Sequence, residues 1–153
     1  MSSVISASRK IIGIGRNYAQ HAVEMGMALP TEPMMFLKPP SSFITAPSPI
    51  EIPKGCVVHH EIELGVVIGR TGRDIKASEA DSFISGYLLA LDMTARNKQS
   101  EAAKAGHPWT IAKGYDSFCP ISEFIPKNKV KDSSKLDIVL MVVFCSDFRL
   151  TGL

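Results

Sequence analysis

The segment HHEIELGVVIG, residues 59–69, sets Glu61 and Glu63 two positions apart in a run otherwise rich in Ile, Leu and Val. Successive side chains of a strand point to opposite faces. Ile62, Leu64, Val66 and Ile68 then share one apolar face, and Glu61 and Glu63 share the other with Gly65, Val67 and Gly69. That second face turns small and apolar beyond Glu63, so it is not a fully solvated face. Two carboxylates about 7 Å apart on a half-buried strand repel each other, and a divalent cation relieves the repulsion. All-oxygen ligands suit Mg²⁺, Mn²⁺ or Ca²⁺ rather than zinc. The plainer account is an amphipathic strand with two wet glutamates. Asp92 ends the apolar run Leu88-Leu89-Ala90-Leu91, where a lone charge needs a partner. It reads either as the N-cap of a following helix or as the third ligand of a three-carboxylate site.

Other pairs could serve such a site. His21 and Glu24 are three apart in a helical pattern and face the same way. A carboxylate beside an imidazole fixes its tautomer and raises its basicity, which suits activation of water. The alternative is a surface hydrogen bond. Lys113 closes the apolar stretch 109–112 and either binds an anion or snorkels at a strand end. Arg96 and Gln99 are three apart on the helix after Asp92. They either reach a carboxylate bound near Asp92 or stand in solvent.

The elements that must position these residues are short. Residues 10–15 (KIIGIG) read as a buried strand and residues 17–25 as a helix. Residues 30–53 are too proline-rich for a compact helix and read as an ordered loop holding one strand at 34–38. Residues 57–69 and 84–93 predict two further strands. Asp92 or Thr94 caps a helix running to Ala105, stopped by Gly106 and Pro108. Residues 109–113, 119–125 and 136–144 predict more short strands. Many short strands with long connections and two modest helices predict a mainly-β roll or sandwich with minor helices.

Composition removes several classes. The chain has 153 residues, 45% hydrophobic and 21% charged, which fits one globular domain and excludes a disordered or coiled-coil chain. A net charge of +2 is too mild to call for nucleic acid or a membrane surface. The longest apolar run, residues 138–145, is far short of the roughly 20 residues of a membrane span. Cys56, Cys119 and Cys145 are odd in number and far apart, so reduced, mostly buried thiols are expected. Residues 1–10 hold no apolar stretch of secretory length, and Arg9, Lys10 and Arg16 precede the first acidic residue, Glu24. That start fits mitochondrial import, with the cytosol as the alternative. GIGRNY at 13–18 opens like a dinucleotide fingerprint but ends in Tyr18. There is no phosphate-binding loop, no H-E-x-x-H and no serine elbow.

Five stretches together resemble the fumarylacetoacetate hydrolase family: GIGRNYAQHAVEM (13–25), FLKP (36–39), HHEIELGVVIG (59–69), GYLLALDMTAR (86–96) and WTIAKGYDSFCP (109–120). The resemblance runs from about residue 11 to residue 142. It implies a mixed β-sandwich roll, a homodimer, and a lid that orders on ligand binding. It implies that Glu61, Glu63 and Asp92 hold Mg²⁺, with Mn²⁺ as a substitute. His21 and Glu24 then orient and activate water, and Arg16, Gln99 and Lys113 surround or hold the substrate, Lys113 also joining the chemistry; Arg96, by its spacing to Gln99, is a further candidate for binding the substrate. The implied substrates are small 2-keto acids: acylpyruvates cleaved at a C–C bond, and oxaloacetate decarboxylated or tautomerised.

Residues 143–153 depart from the family pattern. The expected organisation is a tail at 1–10, a partial family domain at 11–142 and a divergent tail at 143–153, as in a chain cut short at its C-terminus. An enzyme of the family is one expectation. The other is a non-catalytic product that is unstable or that associates with a full-length subunit.

Overall fold

Apolar residues at every second position drive the central pairing. Strand β5 (Ile62–Ile68) lies antiparallel to β6 (Ile84–Leu91), with Ile62 opposite Leu91, Glu63 opposite Ala90 and Val66 opposite Tyr87. A register shift falls between Val67 and Ile68. On its other edge β6 takes the short β9 (Ile125–Pro126). The close approach there requires Gly86: a Cβ would sit 2.3 Å from the Ile125 carbonyl oxygen. The computed structural model that shows this describes residues 2–18 and 30–142.

Three smaller pairs surround that sheet. β1 (Ile11–Gly15) and β2 (Met34–Lys38) run antiparallel, Ile11 opposite Lys38. β3 (Phe43–Ile44) runs parallel to β8 (Cys119–Pro120). β4 (Val58–His59) pairs antiparallel with β7 (Thr94–Ala95). The helices are α1 (Ser2–Ala7), α2 (Arg96–Lys104) and α3 (Thr110–Lys113), with four 3₁₀ segments among the described residues. α2 ends at Gly106, whose φ of +69° is open to glycine without strain.

Two apolar clusters bracket the sheet end that carries Asp92. One joins Leu88, Cys119 and Ile121, with Val4 and Ile5 of α1, Ile11, Phe43, Val67 and Ala90 packed against them. The other joins Met93, Ala95 and Phe118, with Ile50, Val58, Leu91 and Tyr115. The opening segment, expected as a tail, thus contributes a helix to the first cluster.

The mainly-β expectation with minor helices holds, and several elements differ in detail. Residues 109–113, expected as a strand, form the helical turn α3; its amides bond back to Trp109 and Thr110 instead of to a neighbouring strand. The expected strand at 57–69 breaks at His60 and Glu61, although the Glu61 carbonyl still accepts from the Asp92 amide across from it. The strand expected at 119–125 is two two-residue strands, β8 and β9. Residues 136–142, expected as a strand, have no regular structure, and 143–144 lie outside the described residues. Most of the helix expected at 17–25 lies outside them as well. Neither Asp92 nor Thr94 caps α2: its N-cap is Ala95, with no side-chain cap bond. The face of Ile62, Leu64, Val66 and Ile68 is the more open face of β5, with Val66 and Ile68 49% and 62% exposed. Val67, on the carboxylate face, turns into the core instead.

Candidate active site

The register of β5 and β6 decides which acids meet. Glu63 lies opposite Ala90, and the Asp92 amide donates to the Glu61 carbonyl at 2.8 Å, so Glu61 lies opposite Asp92. Side chains alternate across each strand. Glu61, Glu63 and Asp92 therefore project from one face, continuing the stripe in which Val67, Leu88 and Ala90 enter the core. Asp92 is buried, and the two glutamates are half-buried.

Three cations close on the carboxylates. Lys113, at the C-terminus of α3 and only 2% exposed, donates to Glu61 Oε2 at 3.0 Å and to Thr94 Oγ1 at 2.6 Å, and also to Asp92 Oδ2. It does not snorkel. Lys38, from the inward face of β2, donates to the other Asp92 oxygen at 2.7 Å and to the Met93 carbonyl at 3.0 Å. Arg96, the first residue of α2, pairs with Glu61 Oε1 and donates to Gln99 Oε1 at 2.7 Å. A buried carboxylate without such partners would cost several kcal/mol.

The glutamates are electrostatically unlike. Burial works to raise the Glu61 pKa, but the Lys113 ammonium and the Arg96 guanidinium hold it below the ordinary carboxylate value. Burial pushes the Glu63 pKa up to about 7, against the pull of the nearby Tyr18 hydroxyl, with the Asp92 and Glu61 charges adding to the rise. Burial also raises the Tyr18 pKa, and the Glu63 charge adds to it. Burial lowers the Lys38 pKa against the pull of Asp92.

Of the residues singled out in the sequence, Glu61, Glu63, Asp92, Lys113, Arg96 and Gln99 come together. Arg16 caps β1 in a left-handed turn, φ 55°, and is exposed. No hydrogen bond or ion pair among the described residues ties it to the carboxylates. His21 and Glu24 lie outside the described residues. Sequence reasoning missed Lys38, Thr94 and Tyr18 as partners. The run Met34–Lys38 is apolar on both faces, so which face turns inward was not readable; once Lys38 is buried there, its ammonium requires an acid.

The donor set fits a hard divalent cation, since all three acids offer oxygen. Among the described residues no three acid, imidazole or thiol side chains stand in a finished metal-ligand arrangement. The Lys113 ammonium bridges two of the three carboxylates.

The family profile described as "Fumarylacetoacetate (FAA) hydrolase C-terminal" matches residues 10–143. The chain belongs to the fumarylacetoacetate hydrolase family. A mitochondrial oxaloacetate decarboxylase of Dictyostelium discoideum is 53% identical over 140 residues, covering 90% of this chain and 64% of the relative. A mitochondrial oxaloacetate tautomerase of Arabidopsis thaliana is 51% identical over 134 residues, covering 87% and 60%. The chain thus spans less than two thirds of the length of these relatives. Among solved structures, a fumarylacetoacetate hydrolase family protein of Yersinia pestis superposes with a TM-score of 0.74 at 43% identity, covering 80% of this chain and 57% of the other. Fumarylpyruvate hydrolase of Pseudomonas aeruginosa, solved with Mn²⁺ and pyruvate, gives 0.71 at 38% identity, covering 80% and 55%. The expected fold of the fumarylacetoacetate hydrolase family, in part of its length, is the fold found.

Proposed function

We propose that this chain carries the Mg²⁺-dependent site of an enzyme acting on small 2-keto acids, with oxaloacetate decarboxylation or tautomerisation first and acylpyruvate hydrolysis second. The observation that carries the reading is the meeting of Glu61, Glu63 and Asp92 on one face beside the buried Lys113. Glu61, Glu63 and Asp92 would hold Mg²⁺, with Mn²⁺ as a substitute. When bound, the ion would supply Lewis-acid stabilisation of negative charge on the keto acid. The names of the relatives favour oxaloacetate and a mitochondrial setting.

All three reactions place negative charge on the C2 oxygen of a keto acid. In decarboxylation the C3–C4 bond breaks, its electrons pass into the enolate, carbon dioxide leaves and C3 then takes a proton. In tautomerisation a proton passes between C3 and the C2 oxygen. Lys113 supplies a preorganised positive group for that oxygen in a water-poor setting. Arg96, held by Gln99, and Arg16 offer guanidinium groups to the substrate carboxylates. For acylpyruvates, His21 takes a proton from water, with Glu24 fixing its tautomer. The water attacks the distal carbonyl, and the C–C bond breaks to leave a carboxylic acid and the pyruvate enolate.

The test is turnover of oxaloacetate by the 153-residue chain, with Mg²⁺ and with a chelator, beside Asp92→Asn and Glu61→Gln. Mg²⁺-dependent turnover lost in both variants supports the reading. Turnover indifferent to the chelator or to both substitutions refutes it. A second reading, a non-catalytic chain that binds a longer subunit, is favoured by one observation: Ile12, Ile14, Met35 and Leu37 form an open apolar face on β1 and β2. Activity that appears only on mixing with a full-length relative would select it. A homodimer is the family expectation.

A further inference from the structure

Lys113 and Lys38 hold the same carboxylate in different ways. Lys38 is anchored by the main chain as well as by Asp92, through its bond to the Met93 carbonyl. Lys113 bridges Glu61 Oε2 and Asp92 Oδ2, two of the oxygens a divalent cation would need. Two other groups remain within its reach if those bonds are lost. Thr94 Oγ1 lies 2.6 Å away, and the Phe36 ring lies under the ammonium, 4.7 Å to its centroid. Formal charge sharpens the point. Lys38, Lys113 and Arg96 balance Glu61, Glu63 and Asp92, so a divalent cation adds two uncompensated charges to a buried site.

We propose that Lys113 is a displaceable counter-ion: its ammonium and a divalent cation compete for Glu61 Oε2 and Asp92 Oδ2, and the displaced ammonium receives the anionic substrate. Cation and dianion then bind cooperatively. The cation releases the ammonium, and the dianion restores neutrality. Lys38 holds Asp92 Oδ1 throughout and takes no part in the exchange. The inference rests on the metal-site reading above.

Its consequence is a coupling free energy, which is reciprocal between the two ligands. Equilibrium dialysis of the 153-residue chain against Mn²⁺, with and without oxalate, measures it once affinities are referred to free ion. Oxalate is a dianion with the keto-acid chelating pattern that does not turn over. Oxalate should tighten Mn²⁺ binding to the wild-type chain by about 5–150-fold, the usual range for coupled sites. Lys113→Met and Lys113→Gln should each bind Mn²⁺ alone more tightly than wild type, with a smaller oxalate effect that retains only the direct chelation of the bound ion. Lys38→Met should keep the oxalate effect.

No Mn²⁺ uptake by the wild-type chain, with or without oxalate, overturns the metal-site reading and the exchange with it. Uptake that oxalate changes by less than twofold overturns the exchange alone, whether or not the variants fold. Folded Lys113 variants that bind Mn²⁺ no better than wild type also overturn it.

Discussion

At the scale of single residues, burial sets chemistry apart from mere presence. Cys119 is buried beside Leu88 and Ile121, and burial pushes its thiol up to about 11. Cys56 is partly exposed, with its Sγ 3.7 Å from the Tyr115 hydroxyl. The thiolate is the reactive form, and at pH 8 only about 10⁻³ of Cys119 would carry it. Native alkylation at pH 8, mapped by peptide mass, should therefore modify Cys56 well before Cys119, and Cys119 should react only after unfolding. Equal rates in the folded chain would show that Cys119 is neither buried nor raised. The same logic separates Lys113 from an ordinary surface lysine: both oxygens of Asp92 are taken by ammonium groups, so neither lysine is free to face solvent.

At the scale of elements, the site is a junction of chain segments far apart in sequence. β5 supplies Glu63 and the residue before its start, Glu61. β6 delivers Asp92 just past its end, β2 delivers Lys38, α2 delivers Arg96 and α3 delivers Lys113. β9 holds the opposite edge of β6 through the close approach at Gly86. Gly86→Ala should cost about 1–3 kcal/mol, the usual penalty of overpacking, because the carbonyl of Ile125 cannot yield as a flexible side chain can. Urea unfolding should show the loss, and hydrogen exchange at Ile125 should quicken. An unchanged midpoint would mean that β9 retreats without cost.

At the scale of the whole molecule, apolar surface is abundant. Ile12, Ile14, Met35 and Leu37 form one open face, and Val139, Met141 and Val142 are 78%, 80% and 52% exposed. Contiguous apolar patches mark association surfaces or aggregation hazards. The 153-residue chain should self-associate as its concentration rises, read by light scattering. Met35→Lys with Leu37→Lys should weaken that association without touching the inward Phe36 and Lys38. A wild-type chain that stays monomeric at high concentration would show these faces to be harmless.

The alternation of Glu61 and Glu63 with Ile62 and Leu64 was enough, by itself, to place both acids on one face of a strand, because strand side chains alternate whatever surrounds them. The order of short strands likewise sufficed for a mainly-β class, and five motifs sufficed for the family. Helical turn or strand at Trp109–Ala112 was not legible, since a short apolar run has no period to read. Its outcome depends on the loop between α2 and β8 closing over β2. The meeting of Asp92 with Glu61 needed the register of β5 on β6, which is a property of the pair and not of either segment. Lys38 entered the site only because β2 turns that face inward. Which of the two glutamates takes a cation partner was decided by tertiary placement alone: Lys113 and Arg96 reach Glu61, while Glu63 faces Tyr18 and keeps a raised pKa.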